Sequence, residues 1–248
     1  MQVSDQGLVA LMQHEGIVPG PYMDSVNVAT YGIGHTAAAG APDPADLPLG
    51  MPADLDTALA DVAAVFRRDI ARYTADVLKA VRVDLAPHEL DALVSFHYNT
   101  GAIAQASLTE ALNAGDRARA GALFLNWKKP AEILPRRTAE RDLFLHGTYP
   151  EGVVTVWQVD TRRRVIWTPA RTLSAAEALA LMRGGPVAPA GPLALGSRNA
   201  RNRQIQTLLT DLGLYTRRID DEWGPGQQAA LEALDVRKSQ IQSLIDGE

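Results

Sequence analysis

Glu15, eight residues, Asp24, five residues, Thr30: two carboxylates and a hydroxyl stand close together near the start of the chain. Hydrolysis of a glycosidic bond needs two carboxyl groups in different states. One stays protonated and donates to the leaving oxygen, while the other stays ionised and orients a water or attacks the sugar. Glu15 follows Leu8, Leu11 and Met12 along the apolar stripe of a helix, a setting that favours a neutral, proton-donating carboxyl. Asp24 lies at the mouth of a polar turn, where it stays charged. With the turn at Val26 and Asn27, the two strands would bring Asp24 and Thr30 nearly opposite each other, so that carboxylate and hydroxyl could share one water. Each residue alone has an ordinary role, as a helix-end charge, a turn former or a β-branched filler. The combination is what points to chemistry.

The elements that must position these groups can be read around them. Ser4 caps a first helix that Gly16, Pro19, Gly20 and Pro21 forbid from continuing, so Glu15 ends its apolar face. Residues 22–36, rich in β-branched residues and glycine, read as a short hairpin, and the Pro- and Gly-rich stretch 40–52 reads as a loop. A long amphipathic helix follows, with Leu59, Val62, Phe66, Ile70, Tyr73 and Val77 on one stripe. Another starts at Pro87 and stops near Gly101. Ser107 to Glu110 fits a capping box for a short helix ending at Gly115, and helical patterns continue through Phe124, Trp127 and residues 136–145. Residues 152–168 alternate as a second hairpin turning near Asp160, and Ser174 to Glu177 caps one more helix. The uncharged segment 184–196, GGPVAPAGPLALG, reads as a semi-rigid linker. Beyond it come a helix through Ile205, Leu208, Leu209 and Leu212, a DEWGP turn, and a helix opening at Ala229.

The 248 residues suffice for two domains, each with its own core. With 46% apolar and 21% charged residues and a mean hydropathy of −0.09, the composition is that of a soluble globular protein. No apolar run approaches a bilayer span, and the first helix, carrying Asp5, Gln13, His14 and Glu15, reads as neither signal peptide nor anchor. Cysteine is absent, which excludes disulfides and thiolate chemistry. The net charge of −5 argues against nucleic-acid binding and against electrostatic capture by an anionic cell wall. No cofactor is expected, and the five histidines show no metal spacing.

The segment HEGIVPGPYMDSVNVATYGIGHT (14–36) resembles the active-site signature of the phage-type lysozymes, glycoside hydrolase family 24. LVSFHYNTGAIAQASLTEALNAGD (93–116) and RRTAERDLFLHG (136–147) are similar to later helices of that family, so the resemblance covers about 145 residues. It implies an α+β, mostly α fold, with a small β lobe and a helical lobe flanking a saccharide cleft. It also implies cleavage of the β-1,4 bond between N-acetylmuramic acid and N-acetylglucosamine by an inverting mechanism. Residue by residue, it carries over Glu15 as the acid, Asp24 as the partner of the hydrolytic water and Thr30 as the second holder of that water. Two departures stand out: Asn27 occupies a position where the family often has Gly, and Glu132, Ile133 and Leu134 replace the usual Gly-Leu before the paired arginines. Residues 203–234 resemble the three-helix peptidoglycan-binding domain of many wall hydrolases, with Asp221 in place of a usual Gly and Gln227 or Gln228 in place of a Thr.

The expected organisation is therefore a lysozyme-like domain (1–147), a hairpin-and-helix extension (148–183), a linker (184–196) and a peptidoglycan-binding domain (197–248). The expected protein is a monomeric endolysin made in the host cytoplasm without a signal peptide, dependent on a holin for export, and acting on peptidoglycan in the periplasm. A non-catalytic wall-binding or tail-structural protein on the same scaffold is the alternative, which an intact Glu15, Asp24 and Thr30 disfavours. His35 is assigned to a polar network or salt bridge. Asn99 and Arg137, at family-like positions, suit buried hydrogen bonds tying helices together at least as well as sugar contact, and Arg162, Arg163 and Arg164 are assigned to an exposed turn. Trp157 and Trp167 suit cross-strand packing, with stacking on sugar rings as the alternative.

Overall fold

The computed structural model describes residues 1–184, 200–219, 222 and 224–246. The chain divides into two compact units, residues 1–187 and 188–248. Most of the expected linker falls outside the described residues.

Helix α1 (Asp5–Glu15) is capped by the Ser4 hydroxyl, which accepts from Gly7 N–H and donates to Asp91 at 2.5 Å. Gly16 ends it with φ 68°, a conformation that a side chain resists. A three-stranded antiparallel sheet follows, β1 (Val18–Met23), β2 (Ala29–Gly32) and β3 (His35–Thr36), in the order β1-β2-β3. The β1–β2 ladder is irregular between Val18 and Tyr22, where Pro19 and Pro21 have no N–H to contribute. The connection is a three-residue loop, with Asp24 N–H donating to Val28 O and Asn27 at φ 63°. It is one residue longer than the expected two-residue turn. Thr30 therefore pairs with Tyr22 and Met23 with Ala29, which corrects the expected Asp24–Thr30 pairing. Because the side-chain period of a strand is two, the same shift places Thr30 diagonal to Asp24 and on its face of the sheet.

The helical layer begins with α2 (Leu55–Ala80), whose buried stripe is Leu59, Val62, Phe66, Ile70 and Val77. Helix α3 (Pro87–Thr100) opens on Pro87, closes at Gly101 with φ 65°, and buries Leu90, Leu93, Val94 and Phe96. Helix α4 (Ser107–Asn113) has Ala106 as its N-cap, without a side-chain cap bond, so the expected capping box is absent. The Ser107 position falls one residue inside the helix, past where a hydroxyl can serve as cap. Helices α5 (Arg117–Leu123) and α6 (Leu134–His146) complete the layer.

Strands β4 (Val154–Val159) and β5 (Val165–Leu173) form the second hairpin, and α7 (Ala175–Met182) follows behind a capping box of Ser174 and Glu177. These elements share the core of everything before them: Val154, Val156, Leu173, Ala178 and Leu181 belong to the same buried cluster as Met12, Phe66 and Phe96. The second unit contains, among its described residues, α8 (Ala200–Asp211) and α9 (Pro225–Asp246). Its small core is Leu209, Tyr215 and Ala230. Buried Gln227 braces the turn between these helices, donating to Glu222 O at 2.6 Å and accepting from Gly224 N–H at 2.9 Å.

Candidate active site

Glu15 is the last residue of α1, and the turn at Gly16 sends the chain directly into β1, so the carboxyl sits where the helical layer meets the sheet. Gly34, at φ 72°, leaves space for it. A Cβ on that glycine would stand 3.5 Å from Glu15 Oε2 and 3.3 Å from the Tyr98 ring. Tyr98 is fixed by donating to the Ile33 carbonyl and by rings on two sides, Phe66 at 5.8 Å and Tyr73 at 4.7 Å.

The other oxygen of Glu15 is held from far along the chain. Arg136, near the start of α6, donates through Nη1 to Glu15 Oε1 at 2.7 Å, with the Arg136 and Glu15 side chains 9% and 18% exposed. The same guanidinium donates through Nε to Glu140 Oε1 at 3.0 Å and through Nη2 to Ser95 O at 3.2 Å. Glu140 Oε1 also accepts from Ser95 Oγ at 2.7 Å and from Arg137 Nη2 at 3.0 Å. Burial pulls the Arg136 pKa down, but the charges of Glu15 and Glu140 outweigh it and raise the value above the usual arginine range. Burial raises the Glu140 pKa against the opposing pull of the two arginines. Arg137 is fully buried, donates to Asn99 Oδ1 at 3.1 Å and lies over the Phe96 ring at 5.3 Å. Next to Glu15, His14 is lowered to about 4 by burial, then by Arg136 and Arg137, so its imidazole is uncharged near neutral pH.

Asp24 Oδ1 accepts from Val26 N–H at 2.9 Å and Val28 N–H at 2.8 Å, which ties one carboxylate oxygen to the loop and leaves Oδ2 out of these turn bonds. The second hairpin repeats the device: Asp160 Oδ1 accepts from Arg162 N–H at 2.8 Å and Arg164 N–H at 2.9 Å, with Arg163 at φ 61° matching Asn27. Thr30 is buried and donates from Oγ1 to Val28 O at 3.0 Å, so its oxygen can still accept. The three expected residues converge on Tyr22. Thr30 is its cross-strand partner, and its phenol is raised above the usual tyrosine range by burial, then by Glu15 and then by Asp24. Both carboxylates thus lie within electrostatic reach of one ring.

Sequence reasoning missed Tyr22, Tyr98, Arg136 and Glu140. Of these, Arg136 alone carried a signal, as a member of the neighbouring pair of arginines. His35 is buried and holds two segments together, with Nδ1 2.8 Å from Asp69 Oδ2 and Nε2 2.9 Å from Pro42 O. Among the described residues no group of three His, Cys, Asp or Glu side chains could hold a metal ion.

Three comparisons relate the chain to known proteins. The phage lysozyme family model matches residues 12–140, a span that contains Glu15, Asp24, Thr30 and the arginine pair. The endolysin of Salmonella phage P22 is 34% identical over 152 residues, covering 58% of this chain and 99% of that protein. The endolysin of Acyrthosiphon pisum secondary endosymbiont phage 1 is 31% identical over 156 residues, covering 58% and 98%. Among solved structures, an endolysin from Escherichia coli O157:H7 phage FAHEc1 superposes with a TM-score of 0.52 at 28% identity, covering 61% of this chain and 98% of that one.

Proposed function

Because the chain belongs to the phage lysozyme family, we propose that this glycosidase is a peptidoglycan-cleaving endolysin in which Glu15 is the general acid, Asp24 the general base and Thr30 the second holder of the hydrolytic water. The observation that carries the reading is the placement of Glu15: a half-buried carboxyl with one oxygen gripped by Arg136 and the other facing the space left by Gly34. A carboxyl fixed in this way presents Oε2 to a leaving oxygen. Arg136 then stabilises the carboxylate formed once the proton has gone.

The bond cut is the one between C1 of N-acetylmuramic acid and O4 of N-acetylglucosamine. As it breaks, O4 takes the Glu15 proton and the anomeric carbon acquires oxocarbenium character. A water on the opposite face of the ring adds to C1 and gives its proton to Asp24. Thr30 Oγ1, donating to Val28 O, has lone pairs directed elsewhere and accepts from that water. A water held by two groups supports inversion over a covalent intermediate.

The wider reading is a monomer that reaches peptidoglycan in the periplasm through membrane damage by a holin. Residues 197–248 add wall affinity, with 184–196 as the link. Among the described residues no helix is long and apolar enough to cross a membrane. The test is mass analysis of muropeptides released from purified sacculi. New reducing N-acetylmuramic ends support the assignment, whereas reducing N-acetylglucosamine ends or 1,6-anhydro ends overturn the bond or the water-based chemistry.

A further inference from the structure

The β4–β5 hairpin lies beyond the span matched by the family model, yet it borders the proposed cleft. Ile17 N–H donates to Thr155 O at 2.9 Å and Trp157 N–H to Ile17 O at 2.8 Å, a single bridge that ties β4 to the residue leading into β1, two residues after Glu15. At the other end Met23 N–H donates to Arg163 O at 2.9 Å, one residue before Asp24. The hairpin thus holds both ends of the segment between Glu15 and Asp24.

Trp157 covers Gly16: a Cβ on that glycine would stand 2.7 Å from the indole Nε1, so the ring fills the space a side chain would take next to Glu15. Trp167 meets Trp157 edge to face, with centroids 5.3 Å apart and planes at 76°, and is 74% exposed. Cross-strand packing explains Trp157. It does not explain an indole that leaves most of its area in water, beside Ile166 at 41% exposure.

We propose that Trp167, set at a fixed tilt by Trp157, is a stacking platform for a pyranose ring of the glycan strand beyond the two rings at the scissile bond. The inference rests on the peptidoglycan reading above. A pyranose ring turns a face of C–H groups toward an indole's electron-rich face and keeps its hydroxyl and acetamido groups in water, which suits an indole that is exposed on one side and braced on the other. A neutral platform also fits a protein of net charge −5, which cannot hold an anionic wall by long-range attraction.

The test uses the full chain carrying Glu15→Gln to prevent turnover, with intrinsic fluorescence titrated by peptide-free glycan strands fractionated by length from sacculi. Trp167→Ala should weaken binding of long strands about fivefold to tenfold, the loss of one ring stack. It should move disaccharide affinity far less and leave the melting temperature in place, and Trp167→Phe should recover part of the affinity. Equal affinity for long strands with and without Trp167 overturns the platform while hydrolysis of sacculi by the wild-type chain stands. A melting temperature that falls in step with affinity also overturns it, in favour of packing. So does light scattering in which Trp167→Ala dissociates a dimer, because the face then belongs to a second copy. If the wild-type chain releases no reducing ends from sacculi, the peptidoglycan reading fails and the platform fails with it.

Discussion

Glu15→Gln separates what the carboxyl does for the fold from what it does for catalysis. The pattern of residues around Glu15, an apolar stripe, implies that removing its charge should stabilise the protein. The structure reverses that sign. Oε1 accepts a 2.7 Å bond from Arg136, and both side chains are largely shielded from water. A glutamine oxygen can still accept that bond, so what is lost is the difference between a charged and a neutral acceptor, about 1 kcal/mol for a pair of this burial. The loss stays below the roughly 3–5 kcal/mol of an orphaned buried charge because Arg136 keeps Glu140. In a chain of this size, about 1 kcal/mol lowers the melting temperature by about 2–4 °C. The rate should fall much further, by about a hundredfold to ten-thousandfold, because an amide has no proton to give the leaving oxygen. Urea unfolding gives the first quantity and release of reducing ends from sacculi the second. A folded Glu15→Gln protein that clears sacculi at more than a few per cent of the parent rate would refute the acid assignment, and a rise in stability would refute the ion pair.

The His14 pKa of about 4 in the fold, against 6.5 in the unfolded chain, means that the unfolded state takes up a proton first as pH falls. The stability His14 contributes is complete above pH 6.5 and is lost between about 6.5 and 4, up to about 3 kcal/mol, so His14→Gln should flatten urea midpoints over that window. Gly16→Ala puts a Cβ 2.7 Å from the Trp157 indole at φ +68°, and should cost about 2 kcal/mol in thermal melts followed by circular dichroism; an unchanged melt would mean that β4 does not sit on Gly16. An NMR time course should show the α-anomer of the new reducing ends forming first from the β-linked glycan, and β first would refute the held water. A chain ending at Val187 should unfold cooperatively and still cut soluble glycan while sedimenting less with sacculi; undiminished sedimentation would remove the wall-binding role from the second unit.

What the sequence made legible is what short range determines. Ser4 as cap, Gly16 and Gly101 as stops, Pro87 as a first helical residue and the Ser174–Glu177 box each act within four residues. The Thr30 register depends on a loop longer by one residue than Val26 and Asn27 alone imply, and nothing local separates the two lengths until Asn27 takes φ 63°. Arg136 reaches Glu15 across 121 positions, and Glu140 matters only because α3 and α6 pack together. No periodicity reports such a partnership. The hairpin at 152–168 reads from the sequence as two strands, but its bridge to buried Ile17, just ahead of β1, is a property of the folded chain.

The 121-residue span between Glu15 and Arg136 also governs when the protein can act. A ribosome that has released α1 and the first sheet has released both proposed catalytic carboxylates, but not the guanidinium that grips Glu15. The guanidinium, its anchor Glu140 and the strand that lines Gly16 all emerge late, and each must dock onto helices already made. If Glu15 is the acid, cutting ability should arrive with completion of the first unit rather than grow with chain length. A chain interrupted before α6 carries the three residues proposed to act on the scissile bond but lacks Arg136, and on this reading it should not cut the wall.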